Sequence, residues 1–125
     1  MERASFETSK LLKESGFPQL EPKIGQVRYD SHGHMFVIMA FEGKEQCCAY
    51  LTDGNPLELN SVICFETFYA PSATEILREL GDAYSLYYIS KENRYIVAQD
   101  GKVSASSHEN AAEAAAMEYL KKKSR

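Results

Sequence analysis

Apolar and polar positions follow two rhythms along this chain, and glycine or proline marks most changes between them. Thr8, Leu11, Leu12 and Ser15 recur at helical spacing, which predicts a short helix over residues 6–15. Ser5 stands where an N-cap belongs, and Glu7 puts a negative charge in the first turn, where the helix dipole favours it. Gly16 suits a left-handed residue past the helix end. Phe17 can then fold back onto Leu12, and Pro18 prevents continuation.

After a connector at 19–23 the rhythm shortens. Strands are predicted at 25–30, 34–41 and 46–51, separated by the Ser31-His32-Gly33 turn and a turn at Gly43. The middle run contains Met35, Phe36, Val37, Ile38 and Met39. Such continuous apolar character predicts a strand covered on both faces. Asp53-Gly54-Asn55-Pro56 is a turn cluster, and residues 61–65 read as a fourth strand. Ser72 and Glu75 have capping-box spacing ahead of Ile76, Leu77 and Leu80, and Gly81 ends that helix. Residues 84–90 and 94–99 form a hairpin. Asp100-Gly101 signals a type I′ turn into a short strand at 102–105. A last helix is predicted over 107–122, with Ser106 and Glu109 as its capping pair. Its apolar face is Ala112, Ala115, Ala116, Tyr119 and Leu120.

The order is therefore α-β-β-β-β-α-β-β-β-α. Hairpins between helices imply an α+β fold, with antiparallel sheet and three helices, rather than a βαβ nucleotide fold. The 125 residues fit one domain, 1–125, with sub-units at 1–66 and 67–125. Apolar residues at 44% and charged residues at 26% exclude disorder for the bulk of the chain. A net charge of −4 provides no field to gather nucleic acid or an anionic membrane. The basic residues at 121–125 read as a solvated helix end. No apolar run reaches the roughly 20 residues of a membrane span, and no signal peptide opens the chain, so a cytoplasmic location is expected.

Residues that carry chemistry are scattered. Cys47, Cys48 and Cys64 form no disulfide framework, and adjacent Cys47 and Cys48 on a strand point to opposite faces. They read as buried, inert thiols. His32 and His34 flank a turn glycine and supply at most two metal ligands, whereas His108 reads as solvent-facing in the last helix. Glu66, Glu75, Glu79 and Asp82 show no pairing for acid–base work. No catalytic, cofactor-binding or metal site is expected, and no cofactor. Tyr84, Tyr87, Tyr88 and Tyr95 cluster on one hairpin, and the candidate binding surface there is Tyr87, Tyr95 and Arg94. Aromatic sheet faces can stack bases, and they can also pack under helices.

Three stretches together resemble small uncharacterised proteins of gut Bacteroidetes and their phages and mobile elements. They are residues 6–19 ending in Gly-Phe-Pro-Gln, residues 69–77 opening Tyr-Ala-Pro-Ser, and residues 109–120 with Glu-Ala-Ala. The resemblance implies fold signatures and no catalytic residue. Residues 72–123 also resemble double-stranded-RNA-binding domains in their α-β-β-β-α order. Those domains place basic residues at the start of the last helix, where this chain has His108, Glu109, Asn110 and Glu113. The function expected is a non-enzymatic protein-interaction module of phage or mobile-element origin, with a protein partner and no membrane. The alternative is a nucleic-acid-binding domain.

Overall fold

The computed structural model describes residues 3–41, 44–51, 56–58 and 66–124. The fold is α+β, with three helices and antiparallel sheets among the described residues. The chain divides into two compact units, Pro18–Ala70 and a discontinuous one made of Met1–Phe17 and Pro71–Arg125. The N-terminal helix thus belongs with the C-terminal segment, not with 18–66. Short-range reasons are visible: Ala4 N–H donates to the Pro71 carbonyl at 3.0 Å, and Arg3 bridges to Ser72.

Within Pro18–Ala70, five strands form one antiparallel sheet. They are β1 (Val27–Tyr29), β2 (Met35–Phe41), β3 (Lys44–Tyr50), β4 (Pro56–Glu58) and β5 (Phe68–Tyr69), in the spatial order β4-β3-β2-β1-β5. The sequence pattern gives four strands here. It misses β4 and β5, whose two or three residues are too few to show alternation. β4 begins at Pro56, which a sheet accepts at the start of an edge strand. The expected strand at 61–65, with Cys64, and most of the turn cluster at 53–56 lie outside the described residues, as does Gly43. β2 is not covered equally on both faces. Phe36 and Ile38 are fully buried, whereas Met35, Val37 and Met39 are half-buried. Phe36, Ile38 and Cys48 form the core, with Tyr50 against them.

In the discontinuous unit, α1 (Phe6–Glu14) is capped by Ser5, whose Oγ accepts from the Thr8 N–H at 3.2 Å. It ends as the sequence predicts. Gly16 has φ +91°, Phe17 N–H bonds the Leu12 carbonyl at 2.9 Å, and Gly16 N–H bonds that of Lys13 at 3.1 Å. The buried face differs from expectation: Ser9 and Leu12 are buried and Leu11 is half exposed. α2 (Ala73–Leu80) starts with the predicted capping box of Ser72 and Glu75. Three strands follow in the order β6-β7-β8: β6 (Tyr84–Ile89), β7 (Arg94–Gln99) and β8 (Lys102–His108). Asp100 and Gly101, at φ 51° and 79°, make the type I′ turn.

The third helix, α3 (Ala111–Lys123), starts four residues later than predicted, because β8 continues to His108 opposite Tyr95. Asn110, not Ser106, is its N-cap and accepts from the Glu113 N–H at 3.1 Å. The sequence offers two residue pairs with capping spacing, Ser106–Glu109 and Asn110–Glu113. Strand pairing through Ser107 and His108 takes the first out of contention. α2 and α3 pack on each other, and together they cover one face of the sheet.

Candidate functional site

Strand register separates the three residues expected to form one surface. Tyr87 lies opposite Ile96, Tyr88 opposite Tyr95, and Ile89 opposite Arg94. Alternation therefore places Tyr87, Ile89, Arg94 and Ile96 on one face and Tyr84, Leu86, Tyr88, Tyr95 and Val97 on the other. The second face is the helix side. Lys122 Nζ of α3 sits 5.4 Å from the Tyr84 ring centre, and Val97 is fully buried. Tyr95 packs there against Tyr88, with ring centres 5.0 Å apart, while the Tyr88 hydroxyl donates to Asn93 at 2.6 Å. The structure brings Tyr87 and Arg94 together and leaves Tyr95 on the opposite side.

The face away from the helices carries Tyr87 at 53% exposure and Val103, which pairs with Ala98, at 65%. Arg94 is its only charged side chain among the described strand positions. The guanidinium is held against β8, its Nε donating to Ser107 Oγ at 3.2 Å and its Nη2 to the Ser107 carbonyl at 3.1 Å. The face thus carries apolar side chains, a single aromatic ring and one oriented cation, with Ser85 and Ser107 as its hydroxyls.

A polar cleft of about 410 Å³, which the sequence reading did not anticipate, opens beside β8. Its lining includes Gln99, Lys102, Ser104, Glu118 and Lys121. Glu118 is only 2% exposed. Its Oε2 accepts from the Ser106 hydroxyl at 2.8 Å, and it forms no ion pair among the described residues. A helical wheel carries the missed signal. Glu118 follows Ala114 by four residues and Ala115 by three, so it falls on the small-residue stripe that packs inward. Leu120, expected on that stripe, is half-buried.

In the other unit, Cys47 and Cys48 are buried and free. Burial, with Cys47 adjacent, pushes the Cys48 thiol above its ordinary pKa, the opposite of what a nucleophile needs. Cys64 lies outside the described residues. His32 and His34 are exposed on the turn and are organised by Asp30. Its Oδ1 accepts both backbone N–H groups at 2.9 Å, and its Oδ2 accepts the Tyr50 hydroxyl at 2.8 Å. Burial alone would raise the Asp30 carboxyl, but these donors and the His34 ring outweigh it and hold the group below its usual range. Arg28 is 6% exposed and bonded to neutral oxygens of Thr67, Leu20 and Gln26. Desolvation lowers its pKa, as expected for a cation in such surroundings. Among the described residues, no group of three or more His, Cys, Asp or Glu side chains is placed to hold a metal ion.

The start of α3 does not present the cations of a phosphate grip. His108 is the last residue of β8, not a helix residue, and its Nδ1 accepts the Asn110 N–H at 2.9 Å. The Glu113 carboxylate lies at that helix end and binds α1. The basic C-terminal residues are partly used internally. Lys122 Nζ donates to the Leu80 carbonyl at 3.0 Å, and Lys123 Nζ lies 5.5 Å from the Tyr119 ring centre. No described helix is long and apolar enough to cross a membrane. Comparison with protein families, characterised proteins and solved structures gives no match for this chain.

Proposed function

We propose that this chain is a non-enzymatic protein-interaction module that works in the cytoplasm, of the phage or mobile-element kind its sequence resembles. Its contact surface is the helix-free face of the β6-β7-β8 sheet. The observation that carries this reading is the exposure of Tyr87 and Val103 on that face, beside an Arg94 already fixed in orientation. Aromatic, aliphatic and arginine side chains in one patch match the composition of protein interfaces. The partner presents an apolar surface with a carboxylate opposite Arg94.

Base stacking by a sheet uses two or three aromatic rings on one face, and the helix-free face offers only Tyr87; Tyr88, though 51% exposed, and Tyr95 pack on each other on the helix side. Acidic groups near the start of α3 also oppose phosphate. The test is a photo-cross-linking residue introduced at Tyr87 in cells, with exposed Glu92 as control. A protein captured from position 87 and not from 92 is identified and purified. Its binding is then expected to weaken about tenfold or more in Tyr87→Glu and Val103→Glu. Adducts to nucleic acid at position 87, or unchanged affinity in both variants, would refute the reading.

A further inference from the structure

We propose that β6 is the interface strand of a homodimer, in which two copies of this chain pair antiparallel across the outer edge of β6 with Leu86 opposite Leu86 of the second copy. The inference concerns the edge of the sheet and stands apart from the face discussed above.

β6 is a terminal strand whose only sheet neighbour among the described residues is β7. Proteins blunt such edges with charge, proline, glycine or a bulge, because unpaired backbone groups invite another strand. β6 reads Tyr-Ser-Leu-Tyr-Tyr-Ile and has none of these devices, and its ladder with β7 is unbroken from Tyr84 to Ile89. The opposite edge of the same sheet is blunted. β8 begins at Lys102, and its register against β7 shifts between Ile96 and Ala98.

The direction of the free backbone groups can be read from one bond. Asp100 N–H donates to the Ala83 carbonyl at 2.8 Å, so Ala83 faces Asp100 as a hydrogen-bonded pair. Alternation then gives Ser85, Tyr87 and Ile89 to β7. The N–H and C=O groups of Leu86 and Tyr88 and the C=O of Tyr84 point to the free edge, while the Tyr84 N–H donates to the Gly81 carbonyl at 3.2 Å. The tight turn between Gln99 and Lys102 agrees, since it commits Gln99, Val97 and Tyr95 to β8.

A two-fold axis normal to the sheet keeps each side chain on its own face, so opposed residues must differ by an even number. Only the register centred on Leu86 pairs every outward-bonding residue, with Tyr84 opposite Tyr88 of the second copy at both ends. The Leu86 pair exchanges two backbone hydrogen bonds, and in each outer pair the Tyr88 N–H donates to the Tyr84 carbonyl. The Tyr84–Tyr88 pairs add aromatic cross-strand contact on the helix side. Self-pairing sets identical strands side by side, and an uncharged strand brings no like charges together. Beyond the strand, exposed Asp82 comes one position from exposed Lys91 of the second copy, an opposite-charge contact at each end. These features select a second copy of this chain as the occupant.

Sedimentation of the full chain is expected to give twice the 14.1 kDa protomer mass. Leu86→Pro removes an outward N–H and leaves the β7 ladder whole, so a folded monomer is expected. Should that variant not fold, two double variants decide. Tyr84→Glu with Tyr88→Glu opposes like charges and is expected to be monomeric. Tyr84→Glu with Tyr88→Lys opposes unlike charges and is expected to remain dimeric. A monomeric parent, a dimeric folded Leu86→Pro, or double variants that sediment alike would overturn the proposal.

Discussion

Glu113 completes the N-terminus of a helix that lies 108 residues earlier in the chain. Its Oε1 accepts the Ser5 N–H at 2.6 Å, and its Oε2 accepts the Thr8 hydroxyl at 2.5 Å. In a capping box the reciprocal carboxylate sits at the third helical position. In α1 that position is Thr8, and α3 supplies the missing carboxylate from its own third residue. Glu113→Ala is expected to destabilise the protein by about 1–2 kcal/mol in a thermal melt, the usual range for a lost cap. The double-mutant cycle with Thr8→Val should show coupling. Strict additivity would mean that the bond to the Thr8 hydroxyl contributes nothing to the cap.

Ser106 and Glu118 form a buried pair in which a hydroxyl answers a carboxylate. Ser106→Ala leaves that oxygen without a donor and is expected to cost about 1–3 kcal/mol. Ser106→Ala combined with Glu118→Met replaces both partners by apolar groups and should recover most of that loss. Denaturant unfolding of both variants checks the order. A double variant no more stable than Ser106→Ala would show that the Ser106 bond is not what Glu118 contributes.

Asp30 predicts the acid behaviour of its own unit. Its folded pKa is below the ordinary carboxylate value. The stability it contributes is therefore present above that value and lost as pH falls through the lowered one. Asp30→Asn should be less stable than the parent at neutral pH, and the gap should close below about pH 4. Unfolding followed through the Tyr50 ring signals by NMR reads this directly. A gap that is constant with pH would contradict it.

The C-terminal helix distinguishes three substitutions. Ala116 is fully buried, so Ala116→Leu should overpack and cost about 1–3 kcal/mol. Leu120 is only half-buried, so Leu120→Ala should fall below the roughly 2–5 kcal/mol of a fully buried leucine. Lys122→Ala removes a donor to the Leu80 carbonyl and a cation over Tyr84, and a measurable loss is expected although the residue is exposed. Melting temperatures that rank Leu120→Ala as the worst would show that the buried stripe runs through Leu120 rather than Glu118.

Local chemistry is what the sequence displays well here. The Ser5 cap, the Gly16–Phe17 stop, the Ser72–Glu75 box and the Asp100-Gly101 turn each depend on residues a few positions apart, and all appear in the structure. Long-range partnerships are hidden. Nothing near Thr8 announces Glu113, and nothing near Arg28 announces Thr67. Parity divides the candidate surface between two faces. Tyr87 and Tyr95 look like neighbours in a cluster, but only their partners Ile96 and Tyr88 show that they occupy opposite faces. The start of α3 failed because two capping signals compete, and pairing with β7 decides between them.

The insertion of residues 18–70 within the other unit sets the order in which the protein is made. Translation delivers α1 well before the residues that hold it. Phe17 waits for Tyr119, whose ring centre finally lies 5.1 Å away, and Ser5 waits for Glu113. Residues 18–70 emerge in between and contain their whole antiparallel ladder from β1 to β5, so they have the means to fold while the rest is being made. During that interval Leu12, on a helix of nine residues too short to be stable alone, and Phe17, just past its end, are exposed apolar groups. A ribosome-stalled chain ending before residue 110 should therefore protect the backbone amides of residues 35–41 and 44–50 from exchange and leave those of residues 6–14 open.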